Sequence, residues 1–588
     1  MAWTVATLLL LCIAAAGWIG VRAFLAYEHL DQVRTKAGNI AASIGDDPAA
    51  AVSNLSQLAA DAQAAHELTD DAVWSLAEHA PWVGPQLVAF GELAASTDRL
   101  LRLGLLPLVA TGQDSPIASL KPVDGRMDLS PLTALQVPAE SAAARAAEAA
   151  GSIKRIDRTP LVGKLDDALT QAQHLFDKTS GDLDALARAT RLLPAMLGGE
   201  GPRNYLLVVQ NNAEWRSLGG ISGTAILLRT DDGAISFEDA RSATSISRGL
   251  SEPAVALPDE LEQIYQSRPA RYFQNVTQIP DFTVDGPIAR EMYERATGVR
   301  VDGVVAVDPV VLSYMLKAVG PIKLADGEEL NSANAVSVLL SDVYARYPDP
   351  TSQDAFFATA AKEIFGAMLS GHASAPQLLS ALSLGSEQRR LLIWAARPDE
   401  QEQISGTTLA GELPSTTEEV ARFGVYLNDG TGSKMSYYVK PSVSLSWDGC
   451  PQRGGAPSRQ LTLTLTLTNG APLDAQTSLP PYVTGNGVYG VAPGSATVVS
   501  NVYLPETYEL VSASASDGSA YDQGTFEGRE VLTFGANLAP QSSASVTVVV
   551  GTSSAASGAE AIVTPTADAS FNPIVVAACN NASTATLE

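Results

Sequence analysis

The stretch QNNAEWRSLGGISG, Gln210 to Gly223, sets amides, an acid, an arginine and a glycine pair directly behind the apolar run YLLVV. Glu214 and Arg216 are two residues apart, so on extended backbone they share a face and can act on one ligand. Gly219 and Gly220 lack side chains and let backbone N–H groups come close to an anion. With Asn211 and Asn212 beside them, these residues read as an edge that contacts a phosphate or a sugar. They read equally well as a turn in which the two asparagines and Glu214 satisfy backbone groups and Arg216 makes a buried ion pair. Further along, ARSATSIS supplies Arg241, and YARYPDPTSQD supplies Arg346 with Asp349 and Asp354. Asp281 and Asp285, in IPDF and VDGP, can hold Mg²⁺ against a diphosphate, although turn and N-cap roles are the simpler reading.

Other chemistry has little to stand on. The chain contains no HExxH or CxxC and no P-loop, and GGISG resembles no phosphate-binding glycine loop. His29, His66, His79 and His174 are scattered as solvated residues of helix faces are, and His372 alone lies beyond them, with no nucleophile elbow to serve. Lys plus Arg number 38 against 64 Asp plus Glu, and the net charge of -26 excludes nucleic acid as a ligand, because that binding depends on neutralising phosphates with a basic face.

The elements that must position these residues fall into several domains, as 588 residues exceed what one core can organise. Residues 2–22 open with an uncharged run long enough to span a bilayer as a helix, with Trp18 suited to an interface, and are expected to be a transmembrane anchor; the alternative is a signal peptide cut after the AAA at 14–16, against which stands the lack of Lys or Arg ahead of the run. Cys12 reads as a small apolar residue within it. Residues 23–195 are rich in Ala and Leu at helical spacing and predict a stalk or bundle. At GGEGPRN the pattern turns to strands: NYLLVVQ is a buried strand, and GTAILLRTDDGAISFEDA is a hairpin turning at Asp231-Asp232-Gly233. Val301–Val307 predicts a strand, Asp308 a helix cap, Pro309 a first turn, and Gly320 with Pro321 a stop. Residues 196–440 are thus expected to form a central α/β domain. Residues 441–588, in which RQLTLTLTLTNGAP alternates strictly, are expected to form an immunoglobulin-like β-sandwich of about seven strands. Cys450 and Cys579 flank that domain, and their pairing as a disulfide would place the bulk of the chain outside the cytoplasm.

Three blocks carry a resemblance. NYLLVVQNNAEWRSLGGISGTAILL, VDGVVAVDPVVLSYMLKAVGPI and FGVYLNDGTGSKMSYYV, in that order, resemble the hallmark blocks of a family of single-pass bacterial envelope proteins, domain of unknown function 4012, over about residues 20 to 580. The chain is more faintly similar to the LytR-CpsA-Psr family, whose members move glycopolymers from polyprenyl-diphosphate carriers onto the cell wall with arginines, an acid and Mg²⁺. Arg216 fits the first arginine motif of that family, Gly320-Pro321 the middle glycine motif, and Arg346 the later arginine helix. The further arginines which that family places downstream are replaced here by DPTSQDAFFATAAKEIF.

The resulting expectation is a multidomain α+β protein of the cell membrane, single-pass, with its bulk extracytoplasmic. Its role would be that of a non-catalytic binding or assembly module in cell-surface polysaccharide biosynthesis or export. Its partners would be the lipid bilayer, a glycan or polyprenyl-diphosphate glycopolymer, and other envelope proteins. The alternative is a phosphotransferase in which Arg216, Arg241 and Arg346 hold the diphosphate while Glu214 or Asp285 holds Mg²⁺ or acts as base. That alternative requires the three arginines to converge on one cleft beside an apolar tunnel.

Overall fold

The computed structural model describes residues 2–46, 48–114, 125–248, 250–324, 327–369, 375–448, 459–552, 556–578 and 585–586. The chain divides into two units, essentially Met1–Gly201 and Pro202–Glu588. His372, Cys450 and Cys579 lie outside the described residues, and with them the expected disulfide.

The first unit is helical. Its elements are α1 (Ala2–Asp46), α2 (Pro48–Thr69), α3 (Ala72–Ala77), α4 (Gly84–Asp98), a π-helical turn (Arg99–Leu105), α5 (Leu106–Asp114), α6 (Ser130–Lys154) and α7 (Gly163–Met196). In α6, Ala139, Ala142, Ala146, Ala149 and Ile153 recur at three- and four-residue spacing and are fully buried. Small side chains on that stripe let α6 approach α7, which contributes Leu169, Phe176 and Leu183 to the same core.

The expected transmembrane anchor is corrected here. Among the described residues no helix is long and apolar enough to cross a membrane. The run at 2–22 is the start of a 45-residue helix that continues to Asp46, and the side chains of residues 2–9, of residue 11 and of Cys12 lie outside the described set. The far end of the run is tied to protein. Trp18, expected at a lipid interface, donates its indole N–H to Asp71 Oδ2 at 3.1 Å. Arg22 pairs with Asp71 at 2.9 Å and donates to the carbonyls of Leu68 and Glu67 at the end of α2.

The second unit joins an α/β layer structure to a two-sheet sandwich. Strands β1 (Arg203–Asn211), β2 (Ile221–Asp231), β3 (Ala234–Ser242) and β4 (Gly303–Val307) are followed by a small hairpin of β5 (Ile322–Lys323) and β6 (Glu329–Leu330), then by β7 (Leu392–Ala395). The first sheet has the order β3-β2-β1-β4-β7. β1 and β4 are parallel, with Leu206 opposite Val304 and Val208 opposite Ala306, and the remaining pairs are antiparallel. The β2–β3 hairpin turns with Asp232 and Gly233 both at positive φ, as a tight two-residue turn demands. On one face Leu206, Val208, Val304 and Ala306 pack against Ile288, Ala289 and Met292 of the helix Phe282–Thr297. The other face is covered by the helices Pro309–Val319, Pro350–Leu369 and Ala375–Glu387.

The sandwich comprises β8 (Val420–Asp429), β9 (Val439–Asp448), β10 (Arg459–Asn469), β11 (Ala496–Tyr503), β12 (Glu509–Ala515), β13 (Asp522–Phe526), β14 (Arg529–Leu538), β15 (Ser543–Thr552), β16 (Gly558–Val563), β17 (Ile574–Ala578) and the two-residue β18 (Ala585–Thr586). One sheet runs β13-β14-β11-β8-β16-β17 and the other β12-β15-β10-β9-β18. Leu461, Leu463, Leu465 and Leu467 of β10 are buried between the sheets while the threonines face outward, as the alternation requires. Two details depart from the sequence reading: among the described residues the sandwich has eleven strands rather than about seven, and it begins earlier than expected. β8, assigned to the α/β domain, pairs with β11 and β16 and so starts the sandwich well before residue 441. At the end of β10 the buried Asn469 side chain donates to the carbonyls of Gly494 and Leu538 and ties the following loop down.

Candidate functional site

The polar stretch behind β1 is a clasp between the two halves of this unit. Trp215, fully buried, enters the hydrophobic core of the sandwich. On either side of it, Glu214 and Arg216 turn inward. Glu214 Oε1 accepts from Arg216 at 3.1 Å, and Glu214 Oε2 lies 2.5 Å from the Lys434 ammonium, which is supplied by the turn after β8. Arg216 also donates to Asn275 Oδ1 at 2.8 Å and to the Trp215 carbonyl at 2.7 Å. The Lys434 ammonium stands 5.9 Å from the ring of Tyr344 and 5.8 Å from that of Tyr482, a cation–π arrangement on both. Burial alone would push the Glu214 carboxyl up, but Lys434 and Arg216 outweigh it and hold it below the usual range. Burial likewise works against the charged form of Lys434, and Glu214 reverses that, keeping its pKa above the ordinary value.

Asp429, at the end of β8, organises the turn that delivers Lys434. Its carboxylate accepts from the backbone N–H groups of Thr431 and Gly432 at 3.0 and 2.6 Å and from the Thr431 hydroxyl at 2.5 Å. Burial, then the nearby Glu214 charge, pushes its pKa up to about 6. The native state therefore holds the Asp429 proton over a range in which the unfolded chain has lost it. The stability from this group is fully present below the unfolded value near 3.8 and is lost as pH rises through about 6. The slope cannot exceed about 1.4 kcal/mol per pH unit, the limit for a single titrating proton. Urea titrations at several pH values check this, and Asp429→Asn should flatten the slope.

The remaining sequence candidates are distributed as follows. Asn211 donates to the Tyr344 hydroxyl and accepts from Ala213 N. Asn212 is fully buried and donates to Asp308 Oδ2 at 3.1 Å and to the Pro565 carbonyl. The glycine N–H groups expected to meet an anion are taken internally: Gly219 N donates to the Arg216 carbonyl and Gly220 N to Gln210 Oε1. Gly220 is there because a Cβ would lie 2.3 Å from the Asn211 carbonyl group, so Gly220→Ala should lower unfolding free energy by at least about 2 kcal/mol in chemical denaturation. Arg241 on β3 pairs with Asp239 at 2.7 Å, and Arg346 pairs with Glu328. The structure thus sets Arg216, Arg241 and Arg346 each against a different carboxylate, Glu214, Asp239 and Glu328.

The residues do not fit Mg²⁺ either. Asp285 is fully buried in the helix Phe282–Thr297, and burial, with Asp281 nearby, pushes its carboxyl well above the usual range, favouring the neutral form. Asp281 caps that helix and accepts from Leu413 N. Both Glu214 oxygens are engaged by cations. Among the described residues, no group of three or more His, Cys, Asp and Glu side chains could hold a metal ion.

Sequence reasoning missed a second buried ion pair and a cavity. Arg390, with no exposed surface, donates to Asp308 Oδ2 at 2.6 Å, to the carbonyls of Thr566 and Asp568, and to Gln388 Oε1. Asp308 Oδ1 at the same time accepts from Val310 N and Val311 N, capping the helix Pro309–Val319. Beside that cap, between the sheet and its covering helices, lies an apolar cavity of about 280 Å³. It is walled by Leu207 and Val209 of β1, Ile226 and Leu228 of β2, Val305 and Val307 of β4, and side chains such as Met315, Phe357, Ala361 and Ile364 of the helices. Its polar lining is Gln210, Asn211, Thr224 and Asp308, at the carboxyl ends of β1 and β4 and the start of β2. Alternate residues of the central strands register this space: Leu206, Val208, Val304 and Ala306 are buried, whereas Leu207, Val209, Val305 and Val307 are only half-buried. The small Ala360 and Ala361 in DAFFATAAKEIF were the one local sign of it.

Residues 200–344 match the family model described as Protein of unknown function (DUF4012). The match holds β1, the Glu214–Arg216 half of the clasp, β4 and the capped helix, and it ends at Tyr344; it is shorter than the resemblance implied and leaves out the third block, which contains Lys434. No curated protein matches the chain.

Proposed function

We propose, from the premise that residues 200–344 make this chain a member of the DUF4012 family, that it is a non-catalytic binding module acting on cell-surface polysaccharide outside the cytoplasm. In this reading it holds the apolar part of a lipid-linked glycan. The observation that carries the proposal is the cavity. It is a space of about 280 Å³, partly open to solvent, whose walls are almost wholly hydrocarbon, so that an apolar ligand filling it removes that surface from water. A hydrocarbon chain matches those walls, and the polar side chains at the carboxyl strand ends are placed to meet a polar end group. The transferase alternative loses its support, because phosphoryl transfer depends on uncompensated cations around the phosphates and each candidate arginine already faces an acid.

The test is calorimetric titration of the full chain with a polyprenyl phosphate in detergent below its micelle concentration, with inorganic diphosphate as control. Saturable binding of the prenyl compound is expected. Ala361→Phe, which fills the cavity, should weaken it at least about tenfold while leaving the fold intact. Absence of saturable binding, or equal binding by Ala361→Phe, sinks the proposal. The location outside the cytoplasm predicts that Cys450 and Cys579 resist alkylation until reduced; two freely reactive thiols in protein taken from its native cell would remove it.

A further inference from the structure

The cavity leads, through side chains, to a second surface on the sandwich. Phe357 lines the cavity and lies 6.5 Å, centroid to centroid, from Tyr344. Tyr344 in turn lies 5.4 Å from Tyr482, whose ring reaches the surface at 37% exposure. Tyr482 belongs to the loop between β10 and β11, which also exposes Leu473, Val488 and Tyr489, the last at 67%. This loop is held in shape by the clasp turn: Lys434 N donates to the Val483 carbonyl at 2.8 Å, and Gly432 lies so close to the Tyr489 ring that a Cβ would come within 2.5 Å of it.

Composition sets the loop apart. From Ala475 to Pro505 there is no charged residue, in a chain with a net charge of -26. What it presents is Tyr, Asn, Ser, Thr, Gly and Pro. Exposed tyrosines offer flat, rigid contact area at low entropic cost, and neighbouring amides, hydroxyls and backbone groups supply adaptable hydrogen bonds. A sugar ring has the matching chemistry, with an apolar C–H face for the aromatic ring and hydroxyls for the polar groups. A cationic partner would find a single carboxylate on the loop, Asp474 at its start, and a polyanion would be repelled by the acidic protein around it.

We propose that the Leu473–Tyr489 loop is a binding platform for a neutral glycan, with Tyr482 and Tyr489 as its stacking residues. This goes beyond the cavity reading and stands on different residues, so the two can fail separately. The experiment titrates the full chain with three soluble, lipid-free probes: a β-1,4-linked hexaglucoside, an α-1,4-linked hexaglucoside and an α-linked hexamannoside. At least one should bind saturably. Tyr489→Ala should weaken that binding about tenfold, and Tyr489→Phe should retain it, because the ring rather than the hydroxyl makes the contact. Tyr489 is mostly exposed, so an unchanged melting temperature for Tyr489→Ala separates lost contact from lost fold. The cavity-filling Ala361→Phe should bind the sugar as the parent does. If none of the probes binds saturably, if Tyr489→Ala binds normally, or if Ala361→Phe alone abolishes binding, the platform is overturned.

Discussion

Lys434→Met is expected to lower the unfolding free energy by about 3–5 kcal/mol, the range for removing one partner of a buried ion pair. The figure follows from what remains. Glu214 would keep Arg216 on Oε1, but Oε2, now facing the ammonium at 2.5 Å, would face a methyl group in a site closed to water. The aromatic rings of Tyr344 and Tyr482 would lose their cation as well. Because Lys434 comes from the sandwich and Glu214 from the α/β half, the loss falls on the joint, and a single denaturation transition should broaden or split. A double variant, Lys434→Met with Glu214→Gln, should recover part of the loss, since no unpaired carboxylate is then buried. Urea unfolding followed by both fluorescence and circular dichroism measures all three. A Lys434→Met variant within about 1 kcal/mol of the parent would mean that water reaches the clasp and that it does not hold the halves together.

The parts of this arrangement that could be read from sequence are those whose cause is local. Alternation placed the leucines of β10, an Asp-Gly turn placed the β2–β3 hairpin, and the Asp308-Pro309 to Gly320-Pro321 punctuation placed the helix beside the cavity. The polar types after β1 were equally plain, and a buried ion pair for Arg216 was one of two readings of them. Their partners were not plain. Lys434 is 220 residues from Glu214 and Arg390 is 82 residues from Asp308, and nothing in the neighbourhood of a lysine or arginine states that tertiary packing will bury it. The same limit explains β8: RFGVYLND reads as a strand, but its membership in the sandwich depends on pairing with β11 and β16, long after it in the chain. The anchor reading failed in the opposite way. The uncharged run is a local signal for lipid, yet Asp71, reached only through the fold, takes up both Trp18 and Arg22. The cavity is harder still to foresee, because a void is a property of facing surfaces, and only Ala360 and Ala361 hint that the helix opposite β1 leaves room.

Arg390→Met should cost about as much as the loss of Lys434, again about 3–5 kcal/mol, and should also change ligand binding. Its guanidinium makes bonds in three directions at once: to the Asp308 carboxylate, to the carbonyls of Thr566 and Asp568, and to Gln388. A methionine fills some of the volume but leaves a buried carboxylate and two carbonyls short of a donor. Arg390→Lys should rescue little, because one ammonium cannot reproduce the planar fork. The consequence for binding follows from the second role of Asp308. The carboxylate that receives Arg390 also caps the helix Pro309–Val319, and that helix forms one wall of the cavity through Val311, Leu312 and Met315. If the clamp fixes that wall, affinity for the polyprenyl phosphate and stability against urea should fall together across Arg390→Lys and Arg390→Met. Stability that falls while affinity stays constant would show that the cavity wall is set by the helix packing alone, and that the Arg390–Asp308 pair serves only to fasten the sandwich segment around Thr566 to the α/β layers.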